Sequence, residues 1–276
     1  FTKIREATDF TKNLDKDMVQ IGLVLGQTAN KTWKNFDTYA KMANRLNTTV
    51  SDVTGAMKLF YQQGLNTSEV NKMVEASAIA AALGESSMAE ASETLTSIIN
   101  SYNLSATQAI AVTDKISMVA MVSAADFGEL STAIEKVAAS AASAGLDLDH
   151  MMGYLAKMIE TTREAPTNIG TALKTIVANF TQFKEDPSGL AEEGTEINKV
   201  DKALKSVNIS LTDSTGEVRD LSNVLDELGG KWNSLTRNQK SYLATQIAGT
   251  RQQSRFYALM NDYDRTLELV KESMNS

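Results

Sequence analysis

The sequence predicts a mainly α chain. It reads as an array of short antiparallel helices joined by tight turns, with one small β-hairpin near residues 207–221. Three observations carry this. Apolar residues recur every three or four positions over most of the chain. Side chains suited to helix N-caps recur at near-regular intervals. Only 6% of the residues are aromatic against 42% hydrophobic, so the core is built from small and aliphatic side chains that favour close helix packing.

The opening 46 residues place Met18, Ile21 and Leu25, then Trp33, Phe36, Ala40 and Ala43 at helical spacing. They read as one long or two consecutive helices, weakened at Gly22 and Gly26, either packed on the rest or extended as a coiled coil. A rhythm follows. Thr48, Thr67, Ser86 and Ser105 stand 19 residues apart, and Ser123, Asp147 and Thr167 continue it at intervals of 18, 24 and 20. Each is a plausible N-cap, whose oxygen accepts a free N–H of the first turn. Asn66/Glu69, Ser87/Glu90 and Ser105/Gln108 have capping-box spacing. Gly64, Gly84, Asn103 and Gly145 are stop signals between them. About seven helices of roughly four turns are expected here. A weak repeat at an offset of 61 aligns Gly84 with Gly145, Met73 with Ile134, Ala80 with Ala141, Ala81 with Ala142 and Ile98 with Ile159. It implies two equivalent helical units.

Beyond 183 the composition shifts. The stretch "KEDPSGLAEEGTE" at 184–196 is turn-rich and acidic. In "VNISLTDSTGEVRDL", Ile209 and Leu211 alternate with polar residues, "TDSTG" is a turn, and Val218 lies on the return; this is the hairpin signal. Helices then resume to the end. The expected organisation is an N-terminal helical segment at 1–46, a helical core domain at 47–183, an acidic linker or helix at 184–206, and hairpin plus C-terminal helices at 207–276.

Composition narrows the chemistry. The chain has no cysteine and one histidine, so disulfides and thiol catalysis are excluded and a zinc site lacks ligands. No apolar run reaches the ~20 residues of a membrane span; "AIAVTDKISMVAMV" at 109–122 is broken by Asp114 and Lys115. Net charge is −7, distributed as +3 over 1–46, −8 over 47–165 and −2 over the remainder. The acidic middle argues against a nucleic-acid surface there, while a locally basic patch elsewhere stays open. The chain does not begin with Met, which is consistent with a part of something longer.

Candidate chemistry is sparse. His150 follows Asp147 and Asp149. It reads as a first-turn residue of a helix capped by Asp147, with a general base or metal ligand as the sharper alternative. P-loop, dinucleotide-binding, nucleophile-elbow and zinc-protease motifs are absent. No catalytic, cofactor-binding or metal site is assigned. Met118, Met121, Met151 and Met152 read as core or as an adaptable groove. The small-residue run "VAASAASAG" at 137–145 reads as a close helix contact, with a membrane-facing role as the rival. In "GTRQQSRF", Gly249 ends one helix, Thr250 caps the next with Gln253 as its box partner, and Arg251 and Arg255 share a face. These arginines could hold an anion or a partner's carboxylate, or bridge within the chain.

The order of elements from about residue 30 to 265 resembles the core region of phage tail tape measure proteins of the TP901 type. "TREAPTNIGTALKTIVANF" at 162–180 is similar to that family's A-G-T-A-L-like element, here Ile169 before Gly170-Thr171-Ala172-Leu173. "ADFGELSTAIEKVAASAASAGLDLDHMMGYLAKM" resembles its helix–cap–helix unit. "VNISLTDSTGEVRDLSNVLDELGGKWNSL" resembles its hairpin and following helix, and "TRNQKSYLATQIAGTRQQSRFYALM" its closing pair. The resemblance implies a structural virion protein, not an enzyme, in several copies per tail. It implies a role in setting tail length, in assembly at the tip and in ejection ahead of the DNA. Expected partners are itself, tail tube protein, tail tip or baseplate proteins and assembly chaperones, with the host envelope during ejection; no specific nucleic-acid binding and no cofactor are expected. Expected locations are the tube lumen or tip in the virion and the host cytoplasm during assembly. Rival readings are a helical protein-interaction module of a secretion or injection apparatus, a membrane-inserting helical domain, and a helical enzyme with an acid-only site.

Overall fold

The computed structural model describes residues 2–182 and 198–276. Most of the expected linker at 184–206 therefore lies outside the described residues. The described chain is helical: α1 Thr2–Val24, α2 Ala29–Trp33, α3 Phe36–Arg45, α4 Val50–Gln62, α5 Thr67–Leu83, α6 Met88–Ser101, α7 Ala109–Val122, α8 Phe127–Ser143, α9 Leu148–Thr162, α10 Pro166–Thr181, α11 Lys199–Lys205, α12 Leu221–Trp232, α13 Arg237–Met260 and α14 Tyr263–Met274. It divides into two compact units, residues 1–114 and 115–276, with the boundary inside α7.

The opening segment breaks into three helices, not one or two. Gly26 turns the chain in the left-handed region at φ 61°, ending α1. In the first unit α1 lies on α4, with Leu14, Met18 and Ile21 buried. An ion pair of 2.6 Å between Lys58 and Asp17 joins the two helices. Tyr39 and Ala43 of α3 face α4, and α5 packs on both α4 and α6.

Helix starts follow cap chemistry. Thr49, Asn66, Ser87 and Asp126 form full capping boxes with Asp52, Glu69, Glu90 and Glu129. Each box satisfies N–H groups that the first turn leaves without an intrahelical partner, and losing a cap costs about 1 kcal/mol. The starts expected at Thr48, Thr67 and Ser86 fall one residue from these caps. Ser123 is displaced by Asp126, and α10 begins with Pro166 after Ala165, with no side-chain cap. Seven helices, α4 to α10, occupy the expected rhythmic region. The repeat offset superposes the α5–α6 pair on the α8–α9 pair, and each pair packs as a hairpin. Met73, Ile134, Ala80, Ala141, Ile98 and Ile159 are all buried.

In the second unit α9 is the centre. Leu148 and every residue from 150 to 159 are buried, and α8, α10, α13 and α14 surround the helix. Small residues set the spacing. A Cβ on Gly170 of α10 would meet the Ala133 carbonyl oxygen of α8 at 2.4 Å, and one on Gly153 of α9 would meet the α14 backbone at Val270. One face of the 137–145 run is buried helix contact, with Val137, Ala138 and Ala141 enclosed, while Ala139 and Ser143 are exposed. Met151 and Met152 are core, whereas Met121 is 76% exposed.

The expected β-hairpin is not present. A single antiparallel bridge, Thr212 with Val218, stands in its place, and the described residues contain no strand. The Asp213 carboxylate explains the difference. Its Oδ1 accepts from the Thr215 amide at 2.8 Å and the Glu217 amide at 3.1 Å, so the side chain takes N–H groups a ladder would need. Two backbone bonds, Arg219 N–H to the Leu211 carbonyl at 3.0 Å and Asp213 N–H to the Glu217 carbonyl at 2.9 Å, flank the bridge without extending it to a strand, and Ile209 and Leu211 are buried. Val218, on the return, is 47% exposed.

Two glycine substitutions test the packing. Gly170→Ala should destabilise the chain by ~1–3 kcal/mol, because backbone on α8 blocks the added methyl. Gly230→Ala, in α12 with nothing within 4 Å of the new Cβ, should be stabilising by roughly 0.5–1 kcal/mol. Urea denaturation of both variants measures the difference, and equal effects would refute the close α8–α10 contact.

Candidate functional site

A chain poor in histidine and tyrosine places its histidine and two of its tyrosines together in the second unit. His150 occupies the first turn of α9, where Asp147 is the N-cap and accepts from the His150 amide at 2.9 Å. The cap role expected for Asp147 therefore holds. The ring is also held from two sides. Its Nε2 lies 3.1 Å from Asp226 Oδ2 on α12. Its Nδ1 lies 2.7 Å from Asp147 Oδ2, at ion-pair distance but off the angle of a hydrogen bond. The other oxygen of Asp226 accepts from the Tyr263 hydroxyl at 2.7 Å and from the Tyr154 hydroxyl at 3.3 Å. The two hydroxyls lie 2.9 Å apart.

Burial by itself would depress the His150 pKa, but the bonds and charge of Asp147 and Asp226 outweigh it and push the imidazole up to about 9. Burial likewise opposes ionisation of Asp147, yet His150 holds that carboxyl at about 2. Asp226 is also held below its usual range, against burial, by His150 and the Tyr263 hydroxyl. Burial first, then the neighbouring Asp226 charge, keeps Tyr263 firmly protonated; Tyr154, fully enclosed, is protonated for the same reasons. At neutral pH the cluster is thus one imidazolium between two carboxylates with two hydroxyl donors. Each acceptor on Asp226 is engaged, and the imidazolium has no basic lone pair to offer. The arrangement clamps α9, α12 and α14.

A second polar seam ties α9 to the C-terminal helices. Arg265 of α14 reaches both oxygens of Glu160 at 3.2 Å and the Val122 carbonyl at 2.6 Å. Lys157, buried within α9, lies between Glu160 and Asp262. Lys115 bridges Asp149 at 2.8 Å and the Ser273 carbonyl at 2.7 Å. These pairs link elements far apart in sequence, and none forms a set of three metal-ligating side chains among the described residues.

The "GTRQQSRF" element resolves into two roles. Gly249 adopts φ 72° and ψ 167°, so α13 is two helical halves, residues 237–248 and 250–260, joined by a left-handed turn. Gln253 does not close a box on Thr250. Its amide donates to the Ser241 carbonyl at 3.4 Å and to Thr245 Oγ at 3.2 Å, which holds the second half back along the first. Asn179 of α10 satisfies the Ile247 carbonyl at 2.9 Å, just before the turn. Arg255 pairs internally with Glu164 through Nε and Nη2. Arg251, four residues earlier, is exposed and has no ion-pair partner among the described residues.

Asp226, Tyr154 and Tyr263 were not singled out from the sequence. They lie 76, 4 and 113 positions from His150, and only the fold brings them together. A cleft of about 270 Å³ in the same unit is lined by the apolar Phe180, Leu211 and Leu221 together with Thr181, Arg219 and Asp220.

The clamp predicts the pH dependence of stability. The Asp147 contribution is present above its ordinary 3.8 and is lost as the pH falls through about 2. The His150 contribution is complete below its ordinary 6.5 and is lost as the pH rises through about 9. Thermal melts followed by circular dichroism should therefore show the highest midpoint between those ordinary values. His150→Gln should lower that plateau and flatten the alkaline fall. An alkaline fall that is unchanged in the variant would refute the clamp.

No solved structure matches the chain. The family model for phage-related minor tail protein matches residues 37–249, from α3 to the turn at Gly249, well over half of the chain. The chain belongs to the phage-related minor tail protein family, which gives it a structural role in the phage tail.

Proposed function

We propose that this chain is a segment of a tail tape measure protein, of the kind with a TP901-type core. In this reading the parent protein sets tail length while tube subunits polymerise around it, helps nucleate tail assembly at the tip, and leaves ahead of the DNA during delivery. It works in several copies, without catalysis of its own. Its partners are the tail tube protein, tip or baseplate proteins and assembly chaperones, with the host envelope met during ejection. Its place is the tube lumen or the tip.

The family match carries the tail assignment. The ordered motifs between about residues 30 and 265 support the finer one. The fold supports a division of labour within the parent. A ruler converts residues to length at ~1.5 Å each only where the helix is continuous. Here caps and left-handed turns interrupt the helices at Asn47, Gly64, Glu85, Asn103 and Gly145. This segment therefore acts as folded domains at a tip-docking, initiation or ejection step more than as ruler.

The test is an in-frame deletion of residues 47–180 in the parent phage, with tail length measured by electron microscopy and infectivity by plating. Assembly failure, or tails shortened by far less than ~1.5 Å per deleted residue that do not infect, is the expected result. Shortening at the full helical rise would make the segment ruler. Particles normal in both length and infectivity would overturn the proposal.

A further inference from the structure

The 24 residues of α13 contain no carboxylate. In a chain of net charge −7 that is a local reversal of sign. The cations of α13 are Arg237, Lys240, Arg251 and Arg255. Arg255 is neutralised by Glu164, and Lys240 lies 5.7 Å over the Trp232 ring, a contact that leaves its charge intact. Arg237 and Arg251 are exposed and have no ion-pair partner among the described residues. The turn at Gly249 puts all of them on one small hairpin. Because Gln253 reaches Ser241 and Thr245, Arg251 is level with about residue 245, roughly 12 Å along the axis from Arg237. The exposed residues between are Asn238, Ser241 and Tyr242, neutral and rich in hydrogen-bond donors.

The opposite surface exists on the same chain. The α5–α6 hairpin carries five glutamates to one lysine, Lys72. Glu75 pairs with Arg45, and Glu69 and Glu90 close capping boxes. Glu85 and Glu93 are exposed without an ion-pair partner among the described residues. We propose that the cationic α13 hairpin docks on the acidic α5–α6 hairpin of a second copy of this chain. The proposal rests on the multicopy reading above and gives it a contact. Few cations in an acidic chain make a poor phosphate-backbone site, because the surrounding charge repels a polyanion, whereas two modest patches of opposite sign suit each other. The two patches differ, so the contact is heterologous and can continue from copy to copy.

The experiment uses the chain with three sets of changes: Arg237→Glu with Lys240→Glu and Arg251→Glu; Glu85→Lys with Glu93→Lys; and an equimolar mixture of the two variants. Sedimentation equilibrium across a concentration series, at ~0.05 and ~0.5 M salt, reads association. Circular dichroism confirms unchanged helix content. The wild-type chain should associate in a concentration-dependent way at low salt, and ~10-fold or more weaker at high salt. Each reversed variant should weaken association by ~10-fold or more, and the mixture should restore it as a heterodimer. A wild-type chain that stays monomeric overturns the proposal. So does association that survives Glu85→Lys with Glu93→Lys, which would instead implicate the other acidic run at 184–196. Binding of a short DNA duplex through Arg237 and Arg251, without self-association, also overturns it. A monomeric chain in solution together with the expected deletion phenotype in the phage would remove this contact and leave the tail reading standing.

Discussion

A helix enclosed on every side can carry a charged side chain only where another element meets it with the opposite charge, and the second unit is arranged around that constraint. α9 is buried from Leu148 to Ile159 except at Asp149. It nevertheless contains His150 and Lys157. Leaving either unpaired would cost several kcal/mol, far more than a lost surface contact. Each has a local carboxylate, Asp147 for His150 and Glu160 for Lys157, and a second one from elsewhere: Asp226 from α12 for His150, and Asp262 beside α14 for Lys157. The apolar remainder of α9 supplies the driving force, at roughly 1.5–3 kcal/mol for each fully buried aliphatic side chain. The charges specify which helices pack there and at what register. Hydrophobic burial is non-directional; the imidazolium between two carboxylates is not.

The turns carry the same logic to the ends of the helices. Each break leaves backbone donors and acceptors that need partners. Asn66 and Ser87 take the donors locally, with a glutamate three residues on. Asn179 takes an acceptor from a distance, at the carbonyl that the Gly249 turn would otherwise orphan. The small-residue contacts at Gly153 and Gly170 then let backbones approach where a methyl would not fit. Few aromatics are needed, since close approach replaces side-chain bulk.

What was legible in the sequence was local. Helix existence followed from spacing, and the boxes at Asn66 and Ser87 followed from residues three apart. Thr49 was missed by one position because its box partner is Asp52, a shorter side chain than the usual glutamate. The hairpin reading failed because alternation reports burial of every second residue, whatever buries it. Ile209 and Leu211 are buried, and the turn between them and Val218 is closed by the Asp213 carboxylate with two cross-turn backbone bonds, too few for a strand. At the clamp, His150 and Asp147 were visible as neighbours, but Asp226 and Tyr263 were not. No periodicity links residues on separate helices, so Asp226, beside Leu225, carried no signal of its own. The two arginines of "GTRQQSRF" share a face, as their spacing implies, yet only Glu164, 91 positions from Arg255, decides which of them is occupied.

The division inside α7 has a consequence for how the protein is made. Every residue of the first unit precedes every residue of the second, and the chain crosses the boundary once. During synthesis the first unit can emerge and close its own core before the second is translated. Several of its contacts are between helices adjacent in sequence, α3 with α4, α4 with α5 and α5 with α6, which keeps loop closure short, while α1 returns to α4 across a longer span. The second unit is different. α14 must reach back to α9, and α13 to α10, so until those helices arrive α9 has only its local carboxylates, Asp147 for His150 and Glu160 for Lys157. This order of synthesis lets the first unit close while the second still awaits Asp226 and Asp262, the distant partners of its buried charges.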